Sequence, residues 1–186
     1  MSVDTEILDW VGQHRSPAVT AAARGAMDLG MSDAVVLGVA LAGLVVVAVR
    51  RWWWQAIALG AAVLGAQAVA RALKELIQRP RPAGELTIVQ VGAFSMPSTV
   101  AAMTAAGAVV GYLVVSWPGA YRGWVLGAIV AVLIGIGAAM VYLGAHWPTD
   151  LLVGWAVGAV VGVVVLWVVR GVARRLPVRR GGARPA

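Results

Sequence analysis

Long apolar blocks alternate with short polar segments along the chain. Each block is rich in Ala, Val, Leu and Gly and lacks a two-residue alternation, which is typical of helices rather than of barrel strands. A helix needs about 20 such residues to cross a bilayer. We therefore expect an all-α integral membrane protein, a bundle of five transmembrane helices at residues 33–49, 55–73, 99–116, 123–145 and 151–169.

The N-terminal segment differs from these blocks because charged side chains stand among its apolar positions. In the stretch SPAVTAAARGAMDLG, Ser16 suits the N-cap of a helix, Pro17 its first position and Gly30 its end. We expect this N-terminal helix to lie in the membrane interface. No secretory signal peptide is expected, since the N-terminus is acidic and the first apolar block begins late.

Composition agrees with a single membrane domain. The 186 residues are 61% hydrophobic and 12% charged, with a mean hydropathy of +0.85. A soluble domain would have about a quarter charged residues. We expect an extracytoplasmic segment at 1–30, the transmembrane bundle at 31–170 and a basic cytoplasmic tail at 171–186. The chain contains no cysteine, which excludes disulfide and thiolate chemistry.

Positive charge marks one side of the predicted bundle. The net charge is +7, and five spans place Arg50, Arg51, Arg122 and the arginine-rich tail on the same side. Lys and Arg are enriched in cytoplasmic loops, so the N-terminus and the linker 78–97 are predicted to be extracytoplasmic. At the membrane edge this charge indicates lipid headgroups rather than nucleic acid as the partner. The Ala, Val, Gly and Arg bias suggests a bacterial source, and hence the bacterial cytoplasmic membrane.

Polar side chains collect on the predicted extracytoplasmic side. The second span ends in ARALKELIQRPRP, where Lys74 and Arg81 stand on the side that the positive-inside rule disfavours, which indicates that they bind an anion. For Arg71 and Arg79 alone, a snorkelling helix end is an equally good interpretation. The third span begins at Ser98 in FSMPSTV, and the free N–H groups of a helix start also favour an anion.

The fifth span begins with an ionisable pair, His146 and Asp150, inside the apolar run MVYLGAHWPTDLLVG. At a spacing of four residues on a helix, the carboxylate would face one imidazole nitrogen and leave the other free as a base or nucleophile. An ionisable pair at this depth indicates a functional site. No metal is expected, because Lys74 and Arg81 would repel a cation, and no nucleotide-binding loop or haem motif indicates another cofactor.

Taken in order, these residues resemble the three motifs of the type-2 phosphatidic acid phosphatase family, membrane lipid phosphatases that share their fold with the vanadium haloperoxidases. The motifs are Lys-x6-Arg-Pro, Pro-Ser-Gly-His and Ser-Arg-x5-His-x3-Asp. The first is complete here, from Lys74 to Pro82. In the second, Thr99 and Val100 replace the glycine and the histidine. In the third, AMVYLGAHWPTD, Ala139 and Met140 replace the serine and the arginine.

The resemblance implies a role for each remaining motif residue. His146 would attack phosphorus to give a phosphohistidine, and Asp150 would orient the ring. The phosphoryl oxygens would be bound by the matching polar positions, which are Lys74, Arg81, Ser98 and Thr99. The family's general acid is missing at Val100, and one phosphate-binding arginine is missing at Met140.

These losses leave two hypotheses. General acid catalysis contributes about 10²–10⁴-fold, and a diphosphate needs it least because its leaving group is itself a phosphate ester. The first hypothesis is a phosphatase of impaired activity that uses His146 and is restricted to diphosphates such as polyprenyl diphosphates. The second is a catalytically inactive protein that binds a phosphorylated lipid headgroup, or a structural subunit of a larger membrane assembly.

A third interpretation is a purely structural membrane protein. Glycines recur at four-residue spacing at Gly154, Gly158 and Gly162, and again at Gly123 and Gly127. Such faces allow helices to approach closely. This spacing fits packing within the bundle, and a homodimer remains an alternative. A vanadate-dependent oxidase is disfavoured by the two missing motif residues.

Overall fold

The computed structural model describes residues 2–89 and 91–175. This part of the chain is helical apart from turns and loops and contains no strand, which confirms the predicted all-α class. A short 3₁₀ helix, Gly84–Leu86, lies in the linker between the fourth and fifth α-helices. The α-helices are α1 Val3–Gln13, α2 Pro17–Met31, α3 Asp33–Arg50, α4 Trp53–Ile77, α5 Thr99–Val114, α6 Gly119–Tyr142 and α7 Pro148–Arg175.

The five predicted spans correspond to α3 through α7. Among the described residues, α3, α4, α6 and α7 are long and apolar enough to cross a membrane. The apolar helix α5 has 16 residues, which is shorter than the about 20 that a full crossing needs. The five-span count is therefore roughly confirmed, with α5 as the short member.

Two differences from the predicted boundaries bear on the site and on the tail. The fourth span ends at Tyr142, so that residues 143–147 form a loop where helix was expected. The fifth span, α7, continues to Arg175, so that the first residues of the predicted tail are helical. The rest of that tail, from residue 176 onward, lies outside the described residues.

Small side chains allow α4, α5 and α7 to form the core. A Cβ atom on Gly158 of α7 would lie 2.1 Å from the carbonyl oxygen of Ala102 in α5, and one on Gly154 would lie 2.7 Å from that of Ser98. The backbones of α5 and α7 therefore touch, as the internal-packing interpretation expects. A Cβ atom on Gly123 would meet nothing within 4 Å, and the same holds for Gly127.

The N-terminal segment forms two helices rather than one. Helix α2 begins as predicted, with Ser16 as N-cap and Pro17 at its start, whereas α1 was not predicted. Arg15, between them, donates to the backbone oxygens of Tyr142, Glu85 and Leu86. The segment is thus attached to the linker and to the end of α6, and its position in the membrane interface stays a prediction.

Candidate active site

The predicted site residues meet at one end of the bundle. They come from the end of α4, the linker, the start of α5, the loop before α7 and the first turn of α7. The structure brings together Lys74, Arg81, Ser98, Thr99, His146 and Asp150 from these five segments. The side chain of Lys74 makes no hydrogen bond in the described part of the chain, but it lies close enough to Arg81, Asp150 and His146 for their charges to interact.

His146 reaches Asp150 from a loop rather than from a helix. Helix α7 begins only at Pro148, so the predicted helical placement of the pair is wrong. Gly144 makes the loop tight, with a φ of +71° and no room for a Cβ atom against the carbonyl oxygen of Leu86. The imidazole Nδ1 nevertheless lies 3.4 Å from Asp150 Oδ2, to which the backbone N–H of Trp147 donates at 2.9 Å.

The neighbours of His146 determine which ring nitrogen carries the proton. Arg81 Nη1 lies 3.2 Å from His146 Nε2, and a guanidinium only donates, so Nε2 is the acceptor. The proton is then on Nδ1, where it faces Asp150. Burial lowers the pKa of His146; the hydrogen bond to Asp150 opposes this, and the charge of Arg81 adds to it. The ring is therefore neutral near neutral pH, and its Nε2 lone pair accepts from Arg81.

Arg81 is placed to hold an anion beside that nitrogen. Its Nη1 also donates to the carbonyl oxygen of Ala145. Its buried Nε finds no hydrogen-bond partner in the described part of the chain. A buried donor without an acceptor is costly, and a phosphoryl oxygen would satisfy it.

Ser98 and Thr99 form the start of α5. Ser98 is fully buried; its Oγ accepts from the N–H of Ala101 at 3.4 Å, and its own N–H donates to the carbonyl oxygen of Asp150 at 3.0 Å. The first N–H groups of α5, at Thr99 and Val100, have no partner within the helix because helix starts leave such donors free. The backbone here, more than the Ser98 hydroxyl, is suited to bind an anion.

Three of the four departures from the family motifs lie together. Val100, Ala139 and Met140 line a cavity of about 600 Å³ with Arg81 and His146. Met140 Sδ lies 3.9 Å from Ser98 Oγ, so the thioether stands where a polar phosphate ligand was implied. The other walls come from α2, α5, α6 and the linker, and include Ala26, Met27, Gly30, Val91, Gly92, Thr104 and Ile136. The space beside the nucleophile is therefore mainly apolar.

Sequence reasoning missed two charged residues at this site. Arg79 donates to Asp150 Oδ1 at 2.8 Å and to Asp4 Oδ2 at 2.6 Å, so the snorkelling interpretation of Arg79 is wrong. Its position two residues before Arg81 was a usable signal, since both flank the same proline. Asp4 is 75 residues away from Arg79, and no local pattern links them. Arg71 is exposed and makes no ion pair among the described residues.

The described residues contain no group of three or more His, Cys, Asp or Glu side chains that could hold a metal ion. Arg81, Arg79 and Lys74 make this end of the bundle cationic. The arrangement is suited to hold an anion next to a nucleophilic imidazole, which is the chemistry of phosphoryl transfer through a histidine.

Known proteins share this sequence pattern and fold. The decaprenylphosphoryl-5-phosphoribose phosphatase of Mycobacterium tuberculosis is 32% identical over 152 residues, which cover 80% of each chain. A PAP2-type phosphatidylglycerolphosphate phosphatase of Bacillus subtilis superposes with a TM-score of 0.74 at 23% identity, over 95% of this chain and 87% of its own. LpxE of Aquifex aeolicus gives a TM-score of 0.70 at 23% identity, over 90% of this chain and 96% of its own.

The sequence profile of the PAP2 superfamily matches residues 55–174, which run from the start of α4 almost to the end of α7 and include every motif residue described above. With the fold, the ordered motifs and the 32% identical relative in agreement, this chain belongs to the PAP2 superfamily of membrane phosphatases.

Proposed function

We propose that this chain is a lipid phosphatase of the bacterial cytoplasmic membrane that works through His146 without the family's histidine general acid. The observation that carries the proposal is the state of the imidazole: Nδ1 faces Asp150, and Nε2 faces a guanidinium that would otherwise hold the phosphoryl group. A chain that had lost all use for the nucleophile would have no need to keep this buried and costly arrangement.

In the proposed reaction the phosphoryl group binds between Arg81, Lys74 and the start of α5. The Nε2 lone pair attacks phosphorus, the bond from phosphorus to the leaving oxygen breaks, and that oxygen leaves with the electron pair. Asp150 stabilises the positive imidazole of the phosphohistidine. Water then attacks phosphorus and the bond from phosphorus to Nε2 breaks, with its electron pair returning to Nε2. The ring becomes neutral again, and inorganic phosphate leaves with the protons of the water.

The leaving group decides which substrates fit. Val100 places an isopropyl group where the resemblance implies a proton donor, so an alkoxide would have to leave unprotonated. A phosphate ester leaves readily as an anion, which favours a diphosphate linkage. The apolar cavity beside His146 and the decaprenyl lipid in the name of the mycobacterial relative support a polyprenyl chain on the substrate.

The site is proposed to face the extracytoplasmic side. The linker and the loop that carry Arg81 and His146 lie at the bundle end opposite Arg50 and Arg122 in the predicted topology. The positive-inside rule supports this orientation.

A second candidate function is binding without turnover. The contact between Met140 Sδ and Ser98 Oγ favours it, because an apolar side chain stands beside a residue that would otherwise bind phosphate. In this case the protein would hold a phosphorylated lipid headgroup on Arg81 and Lys74, as an isolated binder or as a subunit of a membrane assembly.

Phosphate release by the purified protein separates the two candidates. The substrates are a polyprenyl diphosphate and phosphatidic acid, and the variant is His146→Ala. His14→Ala is the matched control, since His14 is the other of the chain's two histidines and is exposed on the N-terminal segment. We expect release from the diphosphate, loss of it in His146→Ala and no change in His14→Ala. Folded protein that releases phosphate from neither substrate would refute the phosphatase, and retained lipid binding would then establish the binder.

A further inference from the structure

A chain of charged side chains connects the N-terminal helix with His146. Asp4 of α1 pairs with Arg79 at 2.6 Å, Arg79 pairs with Asp150 at 2.8 Å, and Asp150 faces His146 at 3.4 Å. Arg79 thus stands between two carboxylates, one in the first helix and one beside the proposed nucleophile. Asp4 lies outside the residues that the superfamily profile matches.

Both carboxylates of this network are buried, and their polar atoms are paired. Asp4 is 5% exposed and Asp150 is fully buried, so each carboxylate needs its cation and its hydrogen bonds. Thr149 completes the set: its N–H donates to Asp4 Oδ1 at 3.1 Å, and its hydroxyl accepts from Arg79 Nη1 at 2.6 Å and donates to Asp4 Oδ2. Arg79 also stacks on the ring of Trp147, 5.4 Å from its centroid.

The two oxygens of Asp150 are held by different groups. Oδ1 accepts from Arg79, whereas Oδ2 accepts from the backbone of Trp147 and faces His146. Arg79 thereby prevents the carboxylate from rotating away from the imidazole. A planar guanidinium spans two carboxylates with separate nitrogens, which a single ammonium group does not do.

We propose that Arg79 and Asp4 are positioning residues for the nucleophile, with Arg79 orienting Asp150 and Asp4 holding Arg79 in place and balancing its charge. The N-terminal helix is then part of the working site and not only a membrane anchor. The catalytic consequence rests on the proposed phosphatase function, whereas the effect on the His146–Asp150 pair does not.

The proton uptake of the His146–Asp150 pair distinguishes this positioning role from a purely structural docking role of Asp4. The positive charge of Arg79 weakens the hold of Asp150 on a proton at His146, and the negative charge of Asp4 offsets this. Removing the charge of Asp4 or of Arg79 should therefore move the proton uptake of the pair in opposite directions. The other charged groups that face His146 are Arg81 from the linker and Lys74 from α4, and neither changes in such variants.

Histidine NMR measures this without turnover. The chain has two histidines, so [¹³C]histidine-labelled protein in a His14→Gln background reports on His146 alone. The variants are Asp4→Asn and Arg79→Gln. Glu6→Gln is the matched control, because it removes the same charge from an exposed position two residues away on α1.

We expect the pair to take up its proton at a lower pH in Asp4→Asn, at a higher pH in Arg79→Gln and at an unchanged pH in Glu6→Gln. In turnover, both network variants should lose about 10–100-fold in kcat with little change in KM, as is usual for residues that orient a functional group. Glu6→Gln should be unaffected.

An unchanged titration with unchanged kcat, or shifts of the same sign in both variants, would overturn the positioning role. If Arg79→Gln does not fold, Asp4→Asn alone tests the proposal. A downward shift in the pH of proton uptake supports it, and no shift refutes it. Opposite shifts in a protein that shows no turnover would refute the phosphatase and support the positioning network. Turnover that is lost in His146→Ala but unchanged in Asp4→Asn and Arg79→Gln would support the phosphatase and refute the positioning network.

Discussion

The proposed reactivity of His146 depends on two neighbours that keep its ring proton on Nδ1. Asp150 takes the Nδ1 side and Arg81 the Nε2 side, and burial lowers the pKa of the ring so that it is neutral near neutral pH. The spacing of His146 and Asp150 in the sequence predicted the partnership. It did not predict the loop geometry, because the linker backbone that packs against Gly144 is far away in the sequence.

Restoring a proton donor tests the account of the missing general acid. Val100 is 42% exposed and lines the cavity beside His146, which leaves room for an imidazole. In Val100→His we expect release from an alkyl phosphate monoester to rise by about 10²-fold, and release from a diphosphate to change much less. Val100→Leu is the control without a proton donor. An equal change for both substrates would contradict the assignment of this position to the leaving group.

At the scale of the helices, the contact between α5 and α7 positions the site. The glycines of α7 bring its backbone against Ala102 and Ser98, and the N–H of Ser98 then reaches the carbonyl oxygen of Asp150. The start of α5 and the first turn of α7 are thereby held together. The four-residue glycine spacing predicted a close helix contact, but only the fold shows that α5 is the partner.

One methyl group is enough to test this contact. A Cβ atom on Gly158 would lie 2.1 Å from the carbonyl oxygen of Ala102, so Gly158→Ala must separate the helices. We expect it to lower the free energy of unfolding by about 1–3 kcal/mol, the usual effect of overpacking. Thermal unfolding in detergent measures the change. Gly127→Ala makes the same substitution where nothing lies within 4 Å and should have no such effect. Equal stability of the two variants would show that α5 and α7 are not in contact.

At the scale of the whole molecule, the candidate site lies at one end of the bundle. The linker, the loop before α7 and the N-terminal segment converge there. Arg15 connects the N-terminal segment to the linker and to the end of α6 through the oxygens of Glu85, Leu86 and Tyr142. In the predicted topology this end is extracytoplasmic, and the opposite end carries the basic residues Arg50, Arg51 and Arg122.

Cysteine labelling tests this orientation directly, since the chain has no cysteine of its own. Glu85→Cys lies in the exposed linker, and Tyr121→Cys lies at the other end of the bundle, where Tyr121 is 63% exposed. In intact cells we expect a membrane-impermeant maleimide to label only Glu85→Cys. After the membrane is permeabilised, both should react. Labelling of Tyr121→Cys alone in intact cells would place the site on the cytoplasmic side.

The sequence by itself determined the features that depend on neighbouring residues. Apolar block length predicted the membrane helices, the sequence SPAV predicted the start of α2, and motif spacing predicted the family. The role of His146 as nucleophile stays a prediction. Hydropathy, helix capping and motif spacing are local properties, so they can be read without knowing the fold.

Only the tertiary structure decided which distant side chains meet. Arg79 and Asp4 are far apart in the chain, and their pairing depends on the docking of α1 against the linker and α7. The contact of Met140 with Ser98 depends in the same way on how α6 packs beside α5. The physical reason is that an ion pair or an apolar contact is favourable only at short range, and packing rather than sequence separation sets that distance.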